Sequence, residues 1–212
     1  MAIFLDELQA GSAQDLIGFP NLRTCMGLVL QTRAFLYGCH IAGMEQDTVA
    51  AQAEALKAYI RDVGGNVNNG VRLYGCCNWK ARYEGGGRRA AWERELSEIA
   101  RILGYTGTAS GFDTGVVVSE PGVYLEYRPE YGKEKCRIFY KKDAKMGYAT
   151  EFRQVSATGR GFKPFGTKPV SLTDDTLQLA AKGPNQFVDQ KLSATGNLHE
   201  LNYFLRLISF TV

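Results

Sequence analysis

The sequence predicts an α+β fold, strands in layers with two flanking helices, and three observations lead there. Two early runs are apolar on both faces, as covered strands are. Two longer segments place apolar residues at helical spacing. Beyond residue 115 the apolar period falls to two. Of the 212 residues, 45% are hydrophobic and 22% charged, which suffices for a core and excludes disordered or low-complexity architectures. The length suits a single domain over 1–212, with a core over about 20–132 and a C-terminal elaboration over about 133–212.

Each element has a local reason. Ile3 to Gln9 suggests a short helix, followed by a loop reaching Gly18 and Pro20. Thr24–Leu30 and Ala34–Ile41 have strand character and are separated by polar Gln31, Thr32 and Arg33. Thr48–Asp62 is Ala-rich, with Asp47 as its expected cap and Gly64-Gly65 as its stop. On it Val49, Ala53, Leu56 and Ile60 share one face. Val71–Cys77 is a strand and Glu84–Gly87 a loop. A second helix runs over about 88–103, with Trp92, Leu96, Ile99 and Leu103 on one stripe, and stops at Gly104. Val116–Ser119, Val123–Tyr127 and Cys136–Tyr140 are strands joined at the Pro121-Gly122 and Tyr131-Gly132 turns. Residues 145–170 show little periodicity, and Leu198–Val212 is apolar enough to dock as a last helix or strand.

Several function classes fall away. No window approaches 18 uninterrupted apolar residues, so no membrane span is expected. The start, Met1 to Glu7, has two acids where a secretory leader needs a basic residue and an apolar run. The chain is therefore expected to be cytoplasmic as synthesised, with any export by a route that needs no cleaved leader. A formal charge of +3 does not by itself point to nucleic acid. Residues 128–168, however, hold eleven Lys/Arg against four Asp/Glu, which suits either a solvated basic face or a docking surface for an acidic partner. Five cysteines, an odd number, suggest free thiols in a reducing compartment. With two histidines and no CxxC, no structural zinc site is expected.

Cys25 and His40 are the pair that suggests chemistry. If the early strands form a hairpin with a four-residue loop, Gln31 to Ala34, Cys25 lies directly opposite His40, with Cβ atoms ~4.5–5.5 Å apart. A two-residue loop leaves the two diagonal on one face; a three-residue loop separates them. A neighbouring imidazolium lowers a thiol's pKa, and the same ring can protonate a leaving amine and later activate water. Taken alone, the spacing fits equally an inert buried thiol beside a satisfied histidine. Cys39, Cys76, Cys77 and Cys136 lie in apolar strands and suit packing.

The ordered set Thr24–Leu30, Phe35–Gly43, a helix ending at Gly65, Arg72–Asn78, Trp92–Leu103 and Phe112–Gly115 resembles the chemoreceptor glutamine deamidase family. More remotely it resembles the catalytic domain of cytotoxic necrotizing factor toxins. The likeness covers roughly half the chain. It implies layered sheets in a sandwich-like core, Cys25 as nucleophile and His40 as base and acid. The implied reaction converts a protein glutamine to glutamate through a thioester, with no metal or organic cofactor. Its partner is a protein substrate bearing an exposed glutamine. In the toxin family a backbone carbonyl orients the histidine. The chemotaxis family has a threonine several residues before its cysteine; Gly18–Thr24 offers only Asn21 and Thr24, neither in register. The Cys25 N–H, with Thr24 and Asn78, is assigned to oxyanion or substrate positioning. Because the basic C-terminal third is unmatched in the chemotaxis enzymes, an effector-like toxin is favoured, with transglutaminase side activity left open. The alternatives are a housekeeping chemoreceptor deamidase, a hydrolase of small amides, and a non-catalytic adaptor that docks an acidic partner through 128–168.

Overall fold

Apolar runs on this chain alternate with turns closely enough to pair over long range, and that pairing dominates the fold. The computed structural model describes residues 2–118, 122–130, 132–142, 170–171, 199–201 and 207–212. In chain order come β1 (Ala2–Phe4), β2 (Gln9–Ala13), β3 (Leu16–Leu22), β4 (Met26–Thr32), β5 (Leu36–Ile41) and α1 (Gln46–Asp62). Then follow β6 (Gly70–Cys77), α2 (Trp79–Arg82), α3 (Arg88–Leu103), β7 (Thr108–Gly111), β8 (Val123–Pro129) and β9 (Cys136–Lys142). Short strands β10 (Val170–Ser171), β11 (His199–Glu200) and β12 (Ile208–Thr211) complete the described elements.

The strands form two mixed sheets. Five strands run in the order β1-β3-β8-β9-β11, and seven in the order β10-β2-β5-β4-β6-β7-β12. Alternation along each strand divides the core. On β4, Met26, Leu28 and Leu30 meet α1 and α3, joined by Cys39, Ile41, Leu56, Trp92 and Leu96. Val29 points the other way, into a second core with Ile17, Phe19, Leu125 and Tyr127 of the five-stranded sheet. The result is three layers: helices, seven-stranded sheet, five-stranded sheet. Gly27 and Gly38 let the sheets close, since a Cβ on Gly27 would lie 3.1 Å from the Phe19 ring and one on Gly38 3.1 Å from Ile17.

The covered strands and both long helices form where their sequence patterns place them; each remaining difference has a stated cause. Ile3–Gln9 is not a helix, because its groups pair at long range: β1 lies parallel to β3, and β2 lies antiparallel to β5. Likewise Gly18–Pro20 is strand, and Pro20 sits where the β3–β8 register shifts, so its missing N–H costs no ladder bond. Both sheets therefore draw on residues 2–22. Glu45, rather than Asp47, stands at the helix cap, and Asp47 falls in the first turn, where its charge suits the helix dipole. The strand expected from Val116 does not form: Thr114–Val116 is a single tight turn, closed by the Asp113 carboxylate accepting from Gly115 N at 2.9 Å, and Val117–Val118 carry no strand pairing. Strand β12 settles the end of the chain as strand. The expectation for 145–169, and Ser119 with the residues at the two glycine turns, Pro121 and Tyr131, lie outside the described residues.

Candidate functional site

The hairpin between β4 and β5 sets the site. Its loop has two residues rather than four, Arg33 and Ala34, because the Thr32 hydroxyl accepts from Ala34 N and Phe35 N while Thr32 N donates to the Phe35 carbonyl at 2.8 Å. Gly27 consequently faces His40. Direct opposition of Cys25 and His40 is thereby corrected to a diagonal. Cys25 lies in the bend before β4, one step beyond the Met26–Ile41 pair and level with Ala42. Both side chains project into the core between the sheets, Cys25 among the residues of that core and His40 edge-on to Phe19 at 6.0 Å. Diagonal neighbours of this kind hold Cβ atoms ~7–8 Å apart, and the Cys25 sulfur and His40 Nε2 make no hydrogen bond in this structure.

His40 is 2% exposed, and its Nδ1 lies 2.9 Å from the Leu5 carbonyl oxygen. A carbonyl only accepts, so Nδ1 holds the proton and Nε2 is left as the acceptor. Nε2 is buried and has no hydrogen-bond partner. Leu5 itself bridges the layers, its N–H donating to Gly18 of the five-stranded sheet at 2.9 Å. Gln52 of α1 grips the strand end beside Cys25: its side chain accepts from Ala42 N at 2.9 Å and donates to the Ala42 carbonyl at 2.6 Å.

The resting pair is neutral. Burial, assisted by the Glu7 charge, pushes the Cys25 thiol up to about 11, against the pull of Arg82 and the Thr24 side chain. Burial lowers His40 to about 4, opposed by the Leu5 hydrogen bond and helped by the Arg82 charge. The expected imidazolium that ionises the thiol is therefore not the ground state. Cys39, Cys76, Cys77 and Cys136 are also buried free thiols, and burial raises each of them further.

Thr24 and Asn78 come together. Asn78 follows the Met26–Cys77 pair, so it stands level with Cys25 on the side away from His40. Its Oδ1 accepts from Ala81 N at 3.0 Å and caps α2. With Thr24, Arg23 and Thr114 it lines a cavity of about 220 Å³. A larger cavity of about 620 Å³ opens at the hairpin end of the same strands, around Gln31, Arg33 and Glu134, and neither Cys25 nor His40 lines it. The spacing gave no sign of two further groups: the Leu5 carbonyl, 35 residues from His40, and Arg82. Arg82 is 3% exposed, pairs with Glu95 at 2.5 Å, and donates to the Thr24 carbonyl at 2.7 Å. Tyr83 also donates to Glu95.

Four cations of the basic stretch form surface ion pairs within the chain, and a fifth is buried. Arg128 pairs with Glu126, Lys133 and Lys135 with Glu130, and Arg137 with Glu200, while Lys141 is 3% exposed. Lys145 to Lys168 lie outside the described residues.

Fold and site together define a layered α+β sandwich with a cysteine and a histidine on one inter-sheet face. No protein-family model matches the chain, and no curated protein matches it. Among the described residues no helix is long and apolar enough to cross a membrane.

Proposed function

We propose that the chain is a cysteine-dependent protein-glutamine deamidase. One observation carries the reading: His40 is fixed through Nδ1 by a backbone carbonyl, which leaves a bare Nε2 on the face that Cys25 shares. In this mechanism Nε2 takes the Cys25 proton as sulfur attacks the glutamine carboxamide carbon. The oxyanion is met by the Cys25 N–H and the Asn78 side chain. Collapse expels ammonia, which leaves with the proton returned by His40. Water, deprotonated by the same nitrogen, then cleaves the thioester to glutamate and restores the thiol.

An effector-like toxin remains our preferred setting for the activity. The test is a quantitative survey of glutamine-to-glutamate conversion in lysate proteins, each converted site being about 1 Da heavier. The expected result is a set of converted glutamines with the parent protein and none with Cys25→Ser. Conversion that persists with Cys25→Ser, or no conversion with either, refutes the reading.

A further inference from the structure

We propose that Arg82 is a positioning residue for Cys25: anchored on Glu95, its guanidinium holds the Thr24 carbonyl and fixes a cation beside the edge that carries thiol and imidazole. This rests on the reading above only in taking Cys25 as the reacting sulfur.

A buried arginine is costly to desolvate and needs a purpose or a partner. Glu95 is partner enough: its carboxylate accepts from Arg82 Nε at 2.9 Å and from Nη2 at 2.5 Å, the two-pronged geometry that suits a guanidinium. Burial works to discharge Arg82, yet the bonded Glu95 carboxylate outweighs it and keeps the guanidinium charged. The third bond does something else. Nη1 leaves the ion pair and donates to Thr24, in the bend immediately before the nucleophile. Tyr83, donating to the same carboxylate, stiffens the anchor from the other side.

That carbonyl belongs to the peptide plane whose N–H is Cys25's own. Holding one end of the plane aims the other, and a charge-assisted bond to the oxygen polarises the amide into a stronger donor. The cation also bears on both reacting groups. Around the thiol stand Glu7, which opposes ionisation, and Arg82 and the Thr24 side chain, which favour it. Around the imidazole stand the Leu5 carbonyl, the Phe19 edge and Arg82. Arg82 thus favours thiolate over thiol and neutral ring over imidazolium. It favours departure of the thiol proton from sulfur and its onward passage from His40 to the departing ammonia.

The experiment is the pH dependence of iodoacetamide labelling at Cys25, read by peptide mass spectrometry on folded protein. Arg82→Met combined with Glu95→Gln removes both charges without leaving one buried alone, and keeps an acceptor for Tyr83. It is expected to move the labelling curve up by about one pH unit, a tenfold slower reaction at fixed pH. Arg82→Lys keeps the cation and is expected within about threefold of the parent. A parental curve in the double variant, or an equal loss in Arg82→Lys, overturns the proposal. Labelling requires no glutamine, so a shift in this curve without any Cys25-dependent deamidation sinks the enzyme reading and leaves Arg82's role standing.

Discussion

At the scale of single residues, the imidazole is held by main chain on one nitrogen and left bare on the other. Replacing His40 by Gln keeps a polar side chain on that face but removes the base. A loss of about 10² to 10⁴ in kcat is expected, with the fold intact by circular dichroism. The same residue sets an acid limit on stability. Its folded pKa of about 4 lies below the ordinary 6.5, so between these values the unfolded chain binds the proton and the native one does not. Stability is full above pH 6.5 and falls as pH drops toward 4, by about 3 kcal/mol in all. Urea midpoints measured from pH 7 to 4 should show this slope in the parent and lose it in His40→Gln. The sequence made the residue types legible, and hairpin parity put Cys25 and His40 on one face. The exact register was not legible, because it turned on one hydroxyl, that of Thr32, which closes a tighter loop. The Leu5 and Arg82 contacts left no local trace either; each joins segments dozens of residues apart.

At the scale of elements, the helices α1 and α3 were legible because their information is local: a repeating apolar stripe and a glycine stop. Gly104, at φ 78°, ends α3 in the left-handed region that favours glycine. The N-terminal strands were not legible, since β1 and β2 are too short to show a period and owe their state to partners in different sheets. Strand β7 escaped notice for a similar reason; Thr108–Gly111 is small and polar, and its place is secured by close approach. A Cβ on Gly111 would lie 2.1 Å from the Gly75 carbonyl oxygen and 2.7 Å from the Trp92 ring. Gly111→Ala must therefore push β7 away from β6 or tilt α3, and a destabilisation of at least about 2 kcal/mol is expected, read as a lower urea midpoint at unchanged slope.

At the scale of the whole molecule, layering explains how the site is built and how its far parts matter. Strand β12 pairs with β7 at the end of the seven-stranded sheet, and Phe210 meets Trp92 edge to face at 5.4 Å. Removing 207–212 uncovers the β7 edge and strips one side of Trp92. A fall in melting temperature of about 4 °C or more is expected, with concentration-dependent association from the bared edge, both measurable by scattering-coupled thermal melts. The α+β class and its covered central strands could be foreseen from composition and period. That the first strands would be sewn into opposite layers could not. Leu5 is the stitch: its nitrogen is bound to one sheet and its oxygen steadies the imidazole of the other. A shear between the layers therefore bears on that ring through the Leu5 carbonyl, so a tug near residue 2 has a main-chain route to the imidazole.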